Sequence, residues 1–335
     1  MIAILIALLL GAVVIGLAGV NPLLAYVQMF GGIFGSPYSV GETLNRFIPM
    51  VFAALGFSIA YQAGFFNAGG EGQIYIGALA AGLVGIYVPF LPWPLHILLV
   101  LVAGCLAGAL WSWVAGWLRV RFGANELINT MMLNYIAILL VDVLLVTWLK
   151  NPADIIDQSP PVAATARLPI LLPGTRLHWG FILALLAPLA TYYFLWRTPL
   201  GFALRMVGTN PRAAVYAGIP VGGVTLLAAL ISGSLAGLGG ALELVGNQHR
   251  LVRGFSPGYG FDAIGASVMA RNNPLAIVFT SFLFAALRVG AGALQRKVGV
   301  PLPLVQVLDG LIIVLVIGSY YFSDRLSQAA TRGGS

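Results

Sequence analysis

The sequence predicts an all-α polytopic membrane protein, and three observations carry that expectation. Only 8% of the 335 residues are charged and 60% are hydrophobic, about a third of the charged share of a soluble domain. The mean hydropathy is +0.96. The apolar residues come in runs near the length of a membrane-crossing helix, without the alternation of an outer-membrane barrel. The net charge of +7 is scattered along the chain, which fits basic loops beside membrane spans and leaves no patch for nucleic acid. Cys105 is the single cysteine, so no internal disulfide forms, and no metal-ligand spacing occurs. His96, His178 and His249 lie far apart near expected helix ends, where interfacial placement is the expectation.

About ten transmembrane segments follow from hydropathy and punctuation. They cover residues 1–20, 47–64, 72–90, 95–118, 127–149, 179–196, 223–245, 261–270, 275–290 and 302–320. Residues 1–20 read as an uncleaved first span, because they lack the basic leader and polar cleavage region of a signal peptide. The eighth segment is too short to cross alone; glycine-rich 246–260, with Pro257, is expected to complete it as a re-entrant segment. Lys and Arg divide evenly between the two sides. The short connections beside Arg119 and Arg205 favour a cytoplasmic amino terminus.

Between the second and third spans stands GFFNAGGEGQIYIGA, residues 64–78, with Asn67, Glu71 and Gln73 among Gly69, Gly70 and Gly72. Irregular backbone at membrane depth survives only where protein buries it or a wet cavity reaches it. The stretch is therefore expected to adjoin a cavity. Glu71 carries two readings: a carboxylate facing an interior pathway, or a cap on a helix that restarts after Gly70. The fifth span opens GANELINTMMLNYIA, residues 123–137. Glu126, Thr130 and Asn134 recur every fourth residue with Asn129 beside them, so they line one side of a helix. That stripe serves either as packing glue between helices or as the wall of a path; Asp142 adds a second acid further along.

Residues 150–178, with prolines at 152, 160, 161, 169 and 173 and the acids Asp154 and Asp157, form an external loop, either a connector or a docking surface. Residues 197–222 form the longest cytoplasmic connection. Within it Asn210 is an N-cap, Pro211 suits the first helical position, and two turns run to Gly218 with Pro220 beyond. This short helix either fills space at the interface or docks into a groove on another protein through Arg212 and Tyr216. GFSPGYGFDAIGAS, residues 254–267, repeats the texture of the first glycine-rich stretch; either two structural repeats each contain a broken helix, or the match is chance. Asp262 sits in the short eighth segment, and Glu243, near the end of the seventh, lines a cavity or the interface.

Together, FNAGGEGQ at 66–73, GANELINTMMLNYIA at 123–137, VGTNPRAAVYAGI at 207–219 and GFSPGYGFDAIGAS at 254–267 resemble the permease subunits of bacterial ABC importers for nucleosides, related to the ribose and branched-chain amino-acid permeases. The resemblance covers residues 45–322. It implies one transmembrane permease domain over 1–335, in the bacterial inner membrane with both termini cytoplasmic. It also implies three partners: a second homologous permease subunit, a tandem-cassette ABC ATPase and an extracytoplasmic substrate-binding protein. Asn210, Pro211, Arg212, Ala213, Ala214, Tyr216, Gly218 and Ile219 match the coupling helix that seats in the ATPase. Asn67, Glu71, Gln73, Glu126 and Asn134 become candidates for the substrate path, with Asn129, Thr130 and Asp262 beside them. Such permeases place basic residues ahead of the first span, whereas this sequence opens on apolar residues.

No G-x-x-x-x-G-K-[ST] loop occurs, and the lysines are Lys150 and Lys297. ATP and magnesium are therefore expected on the partner ATPase, with no cofactor and no catalysis on this chain. The rival reading is a self-sufficient ion-coupled transporter using Glu71, Glu126 and Asp142. A membrane transferase would need an acid or histidine cluster, which the sequence does not offer.

Overall fold

The computed structural model describes residues 21–152 and 154–298, with isolated residues 9, 12, 13, 15, 16 and 310. The expected spans 1–20 and 302–320 therefore lie almost wholly outside the described residues. The described helices are α1 (Pro22–Phe34), α2 (Pro37–Gln62), α3 (Gly70–Tyr87), α4 (Trp93–Phe122), α5 (Glu126–Thr147), α6 (Gly180–Arg197), α7 (Pro199–Thr209), α8 (Pro211–Tyr216), α9 (Val221–Glu243), α10 (Tyr259–Met269) and α11 (Pro274–Val298). A five-residue π-turn, Leu244–Gln248, continues α9.

Among the described residues, six helices are long and apolar enough to cross a bilayer: α2, α4, α5, α6, α9 with its π-turn, and α11. The polar first turn of α3 keeps it outside that group, although its length is sufficient. In α2, 89% of the most apolar window is buried, against 33% in α4 and 28% in α5 and α6. The last three turn long faces of Leu, Val and Ile outward, as lipid requires.

Two helices depart from the hydropathy reading. α1 falls in a stretch left without a span, being only 13 residues long. Its start is nonetheless written in Asn21–Pro22: the Asn21 Oδ1 accepts from the Leu23 and Leu24 amides at 2.9 and 3.3 Å. α7 occupies part of what reads as a loop, opened in the same way by Thr198, whose Oγ1 accepts from the Gly201 amide at 3.1 Å.

The chain divides into two compact units, Leu44–Phe282 and the flanking segments Met1–Thr43 with Leu283–Ser335. Within the flanking unit, α1 meets the second half of α11 through Ala25, Met29, Ile33, Ala286, Ala291 and Leu294.

The central unit is organised by α3, α4 and α9. Small residues recur every fourth position on two of them: Gly104, Gly108, Ser112 and Gly116 on α4, and Ala229, Gly233, Gly237 and Ala241 on α9. The two ribbons meet antiparallel. A Cβ at Gly104 would stand 2.6 Å from the Ala241 Cβ, one at Gly108 2.8 Å from the Gly237 Cα, and one at Gly116 2.8 Å from the Ala229 Cβ. α3 enters the same seam, with Gly77 against the Gly237 backbone and Gly240 against the Ile74 carbonyl. Helices in lipid associate by close packing rather than by the hydrophobic effect, so backbone proximity of this kind is their main adhesion.

The 150–178 loop is ordered and is stitched to the segment after α9. The Ser159 amide donates to the Leu251 carbonyl at 2.9 Å, Val162 to His249 at 2.9 Å and Leu168 to Val245 at 3.0 Å. Ion pairs Lys150–Asp157 (2.7 Å) and Arg250–Asp154 (3.1 Å) add to it. The histidines do lie near helix ends, but two are buried rather than interfacial. His96 bonds the Thr165 hydroxyl at 2.8 Å and the Val84 carbonyl at 3.2 Å. The fully buried His178 ring lies on the Gly246 backbone.

Two predictions follow from this packing. Gly108→Val forces the α4–α9 seam apart and lowers stability by about 3 kcal/mol or more, read as loss of monodisperse protein on size exclusion and a lower melting temperature. Gly31→Ala in α1, with nothing within 4 Å of its Cβ position, leaves both readouts unchanged or slightly improved. Burial and the neighbouring His249 push His178 down to about 4. The unfolded imidazole takes its proton near pH 6.5. Stability contributed by the 150–178 loop, a strap across the segment after α9, is therefore full above that pH and falls as pH drops from about 6.5 to about 4, by up to about 3 kcal/mol. Melting curves across that range test it, and His178→Gln flattens the dependence.

Candidate functional site: a buried helix break

α2 ends at Gln62 and α3 begins at Gly70, leaving residues 63–69 as non-helical backbone. Gly64, at φ +71°, takes the left-handed conformation that terminates α2. The Phe65 amide donates to the Ala60 carbonyl and the Gly64 amide to Tyr61, both at 2.9 Å, which is a Schellman closure. Phe65, Asn67 and Ala68 are buried, so every polar backbone group beyond that closure needs a partner supplied by protein.

The polar residues of the surrounding helices supply these partners. The Ala68 amide donates to the Thr130 Oγ1 at 3.1 Å. The Ala68 carbonyl accepts from the Asn134 Nδ2 at 2.7 Å, and the Asn134 Oδ1 accepts from the Gly72 amide at 2.7 Å. Asn67 is the hub. Its Oδ1 accepts from the Gly69 amide at 2.9 Å and from the Gln73 Nε2 at 3.0 Å. Its Nδ2 donates to the Gln73 Oε1 at 3.2 Å and to the Ser232 hydroxyl of α9 at 2.8 Å, with Ser112 of α4 at 3.4 Å. The glycines let this happen: a Cβ at Gly69 would stand 2.8 Å from the Gln73 Nε2, and one at Gly72 2.9 Å from the Asn134 Cα.

Glu71 reaches elsewhere. It is 2% exposed, and its Oε2 accepts from the Gly260 amide at 2.7 Å. Gly260 lies in the first turn of α10, whose N-cap Gly258 is left-handed at φ 105°. A carboxylate there satisfies an amide that the helix leaves unpaired and sits at the positive end of its dipole. Glu71 thus caps a helix, but α10 rather than its own. The two glycine-rich stretches meet at this point, with Gly70 and Glu71 against Gly260 backbone to backbone.

Four of the sequence candidates, Asn67, Gln73, Thr130 and Asn134, therefore gather at the break, and Glu71 joins it to α10. Glu126 does not reach it. Its carboxylate pairs with Arg119 at 2.6 Å, and the Arg119 guanidinium stands 5.7 Å from the centre of the Phe65 ring. Asn129 and Asp262 are half-buried, outside the Asn67 network. Sequence reasoning missed Ser112, a member of the α4 ribbon, and Ser232, which adjoins Gly233 of the α9 ribbon. It also undervalued Glu243, whose buried Oε1 accepts from Asn247 at 2.8 Å and Gln248 at 3.1 Å within the π-turn. Among the described residues, no three His, Cys, Asp or Glu side chains gather as a metal site.

The short helix α8 lies at the surface of the central unit. Asn210 caps it, its Oδ1 accepting from the Ala213 amide at 3.1 Å. Ala214 is buried, whereas Tyr216 is 93% exposed and Val215 62%.

Apolar spans built around a polar, protein-buried helix break define a polytopic membrane protein of the transport class. The chain belongs to the family described as the permease component of branched-chain amino acid transport systems, which matches residues 39–317. It is thus a permease subunit of an ABC transporter. It is 35% identical to the guanosine ABC transporter permease protein of Bacillus subtilis, over 100% of this chain and 97% of that one. Identity is also 35% to the glucose ABC transporter permease protein of Haloferax volcanii, covering 100% and 90%. With a nucleoside ABC transporter permease protein of Lactococcus lactis it is 31%, covering 98% and 93%.

Asn134→Leu leaves the Gly72 amide and the Ala68 carbonyl both unpaired, each a penalty of about 1–3 kcal/mol. The purified variant is expected to melt well below the parent, whereas Thr130→Ser, which keeps its hydroxyl, stays close to it.

Proposed function

We propose that this chain is one of two permease subunits of a bacterial ABC importer that takes up nucleosides or related simple sugars. The observation that carries the reading is α8, a capped helix seated on the central unit through buried Ala214 with Tyr216 almost fully exposed, in a chain of this family. Arg212 and Tyr216 are the residue types that anchor interfaces. Residues 210–219 act as the coupling helix that seats in a tandem-cassette ATPase, which holds the ATP and magnesium. A binding protein delivers substrate on the opposite side, where the 150–178 loop lies. The full chain has about ten transmembrane segments in two related halves, with both termini cytoplasmic.

The second permease is a different chain. In Bacillus subtilis, Lactococcus lactis and Haloferax volcanii, a second permease protein named for the same substrate is also similar to this chain, at 26%, 26% and 28% identity against 35%, 31% and 35% for the first. The guanosine and nucleoside relatives support a nucleoside as substrate, and the glucose relative a simple sugar. Asn67, Glu71, Gln73, Glu126, Asn129, Thr130, Asn134 and Asp262 are the candidates for the path, since amides, a hydroxyl and carboxylates offer donors and acceptors for ribose hydroxyls and base edges. ATP binding closes the cassettes, α8 moves with them, and the break between α2 and α3 shifts to expose the path to the other side.

Gentle extraction of this chain from its native membrane tests the assembly. An ATPase with two nucleotide-binding cassettes and a second permease are expected to co-purify, and Tyr216→Ala weakens ATPase retention by about 2 kcal/mol, or roughly 30-fold. A chain that comes out alone, and carries nucleoside into liposomes without ATP, overturns the reading.

A further inference from the structure

We propose that Gly208 is a positioning residue, the joint through which α8 acts on the helix break; this rests on the coupling role given to α8 above. Gly208 stands in the last turn of α7, two residues ahead of Asn210, the cap of α8. Its backbone lies directly on the turn that ends α2. A Cβ at Gly208 would overlap the Gln62 carbonyl oxygen and approach the Gly64 amide nitrogen to 2.9 Å, and a Cβ at Gly64 would stand 3.3 Å from the Gly208 Cα. No side chain separates the two backbones. Displacement at such a contact cannot be absorbed by a change of rotamer, and close-packed interiors pass strain on.

Both sides of the joint are stiff. α7 is anchored through Leu204 and Val207, packed with Ile59, Ala63, Leu195 and Ala214, so α7 and α8 move together. On the other side, Gly64 leads straight into buried Phe65, under Arg119, and then into Asn67, the hub of the network. Gln62 extends the same contact to the turn that follows α10. Its Nε2 donates to the Asn272 carbonyl at 3.3 Å, which also accepts from the Ser58 hydroxyl at 2.7 Å. Arg271 and Asn272 are consecutive non-glycine residues with positive φ, 51° and 55°, a turn that stays in place only where its neighbours hold it. That turn closes α10, whose first turn is held by Glu71. A push at Gly208 thus reaches both ends of the polar region through the Gln62–Gly64 turn.

The test uses the complete transporter, purified with its ATPase, and hydrogen exchange with and without a non-hydrolysable ATP analogue and magnesium. In the parent complex, nucleotide is expected to change exchange by about threefold or more in both 199–216 and 64–70. With Gly208→Ala, residues 199–216 still respond and the cassettes still hydrolyse ATP, while nucleoside uptake per ATP falls about tenfold. A parent complex in which nucleotide changes 199–216 but not 64–70 overturns the joint alone, even if the Gly208→Ala chain fails to assemble. One in which nucleotide changes neither segment overturns the coupling role of α8 and the joint with it. An assembled Gly208→Ala transporter with undiminished uptake per ATP also overturns the joint.

Discussion

Seven residues of non-helical backbone, all but Gly64 and Phe66 buried among apolar helices, impose the constraint on which the central unit depends. Each unpaired amide there would be destabilising by several kcal/mol, since no lipid or aliphatic side chain can replace water. The polar residues of four different helices are placed to meet that demand. Thr130 and Asn134 of α5 serve the Ala68 peptide and the start of α3, while Ser112 of α4 and Ser232 of α9 hold Asn67 from the far side. The polar stripe on α5, Ser112 in the α4 ribbon and Ser232 beside the α9 ribbon are consequences of one break in one helix pair.

The ribbons set how close those helices can come. Ser112 and Ser232 reach the same amide only because glycines at 108, 116, 233 and 237 bring α4 and α9 nearly backbone to backbone. With larger residues the hydroxyls would stand back from Asn67 and its amide would lose two partners. Packing and hydrogen bonding are therefore not separate contributions in this unit. The geometry of the first is a precondition of the second.

Much of this was legible in the sequence where a residue's type dictates its own conformation. Asn210–Pro211 announced a capped helix, and the glycines around Asn67 announced a break. The stripe Glu126, Thr130, Asn134 was visible from its spacing, but not that its members divide: two turn to the break and the first to Arg119, seven residues before α5 opens, across the elbow at Gly123. Which partner an acid finds depends on tertiary placement that spacing does not carry. The burial of His96 and His178 was hidden for the same reason, because a helix end lies at the interface only if no loop folds over it. Here the proline-rich 150–178 segment does. The α4 and α9 ribbons were readable as small residues every fourth position. Hydropathy alone passes over them, since glycine and alanine are neither strongly apolar nor polar.

The two ends of the unit are joined by one rigid element. Ser232, which holds the break, and Glu243, which orders the π-turn beneath the strap, are eleven residues apart on α9, about 16 Å at the rise of an α-helix. Between them Gly233, Gly237 and Gly240 lock α9 against α4 and α3, so it cannot bend there without opening the seam. The π-turn is where that regularity stops, and π-turns mark places where a helix tolerates a local change of pitch. Its carboxylate–amide cluster, Glu243 with Asn247 and Gln248, is tied through the Gln248 Nε2 to the Phe255 carbonyl at 2.8 Å, and so to the stretch that leads into α10. α10 is in turn held by Glu71 at the break. The break, α9, the π-turn and α10 form a closed circuit of contacts, in which the stiff members are helices and the compliant ones are the glycine-rich turns between them.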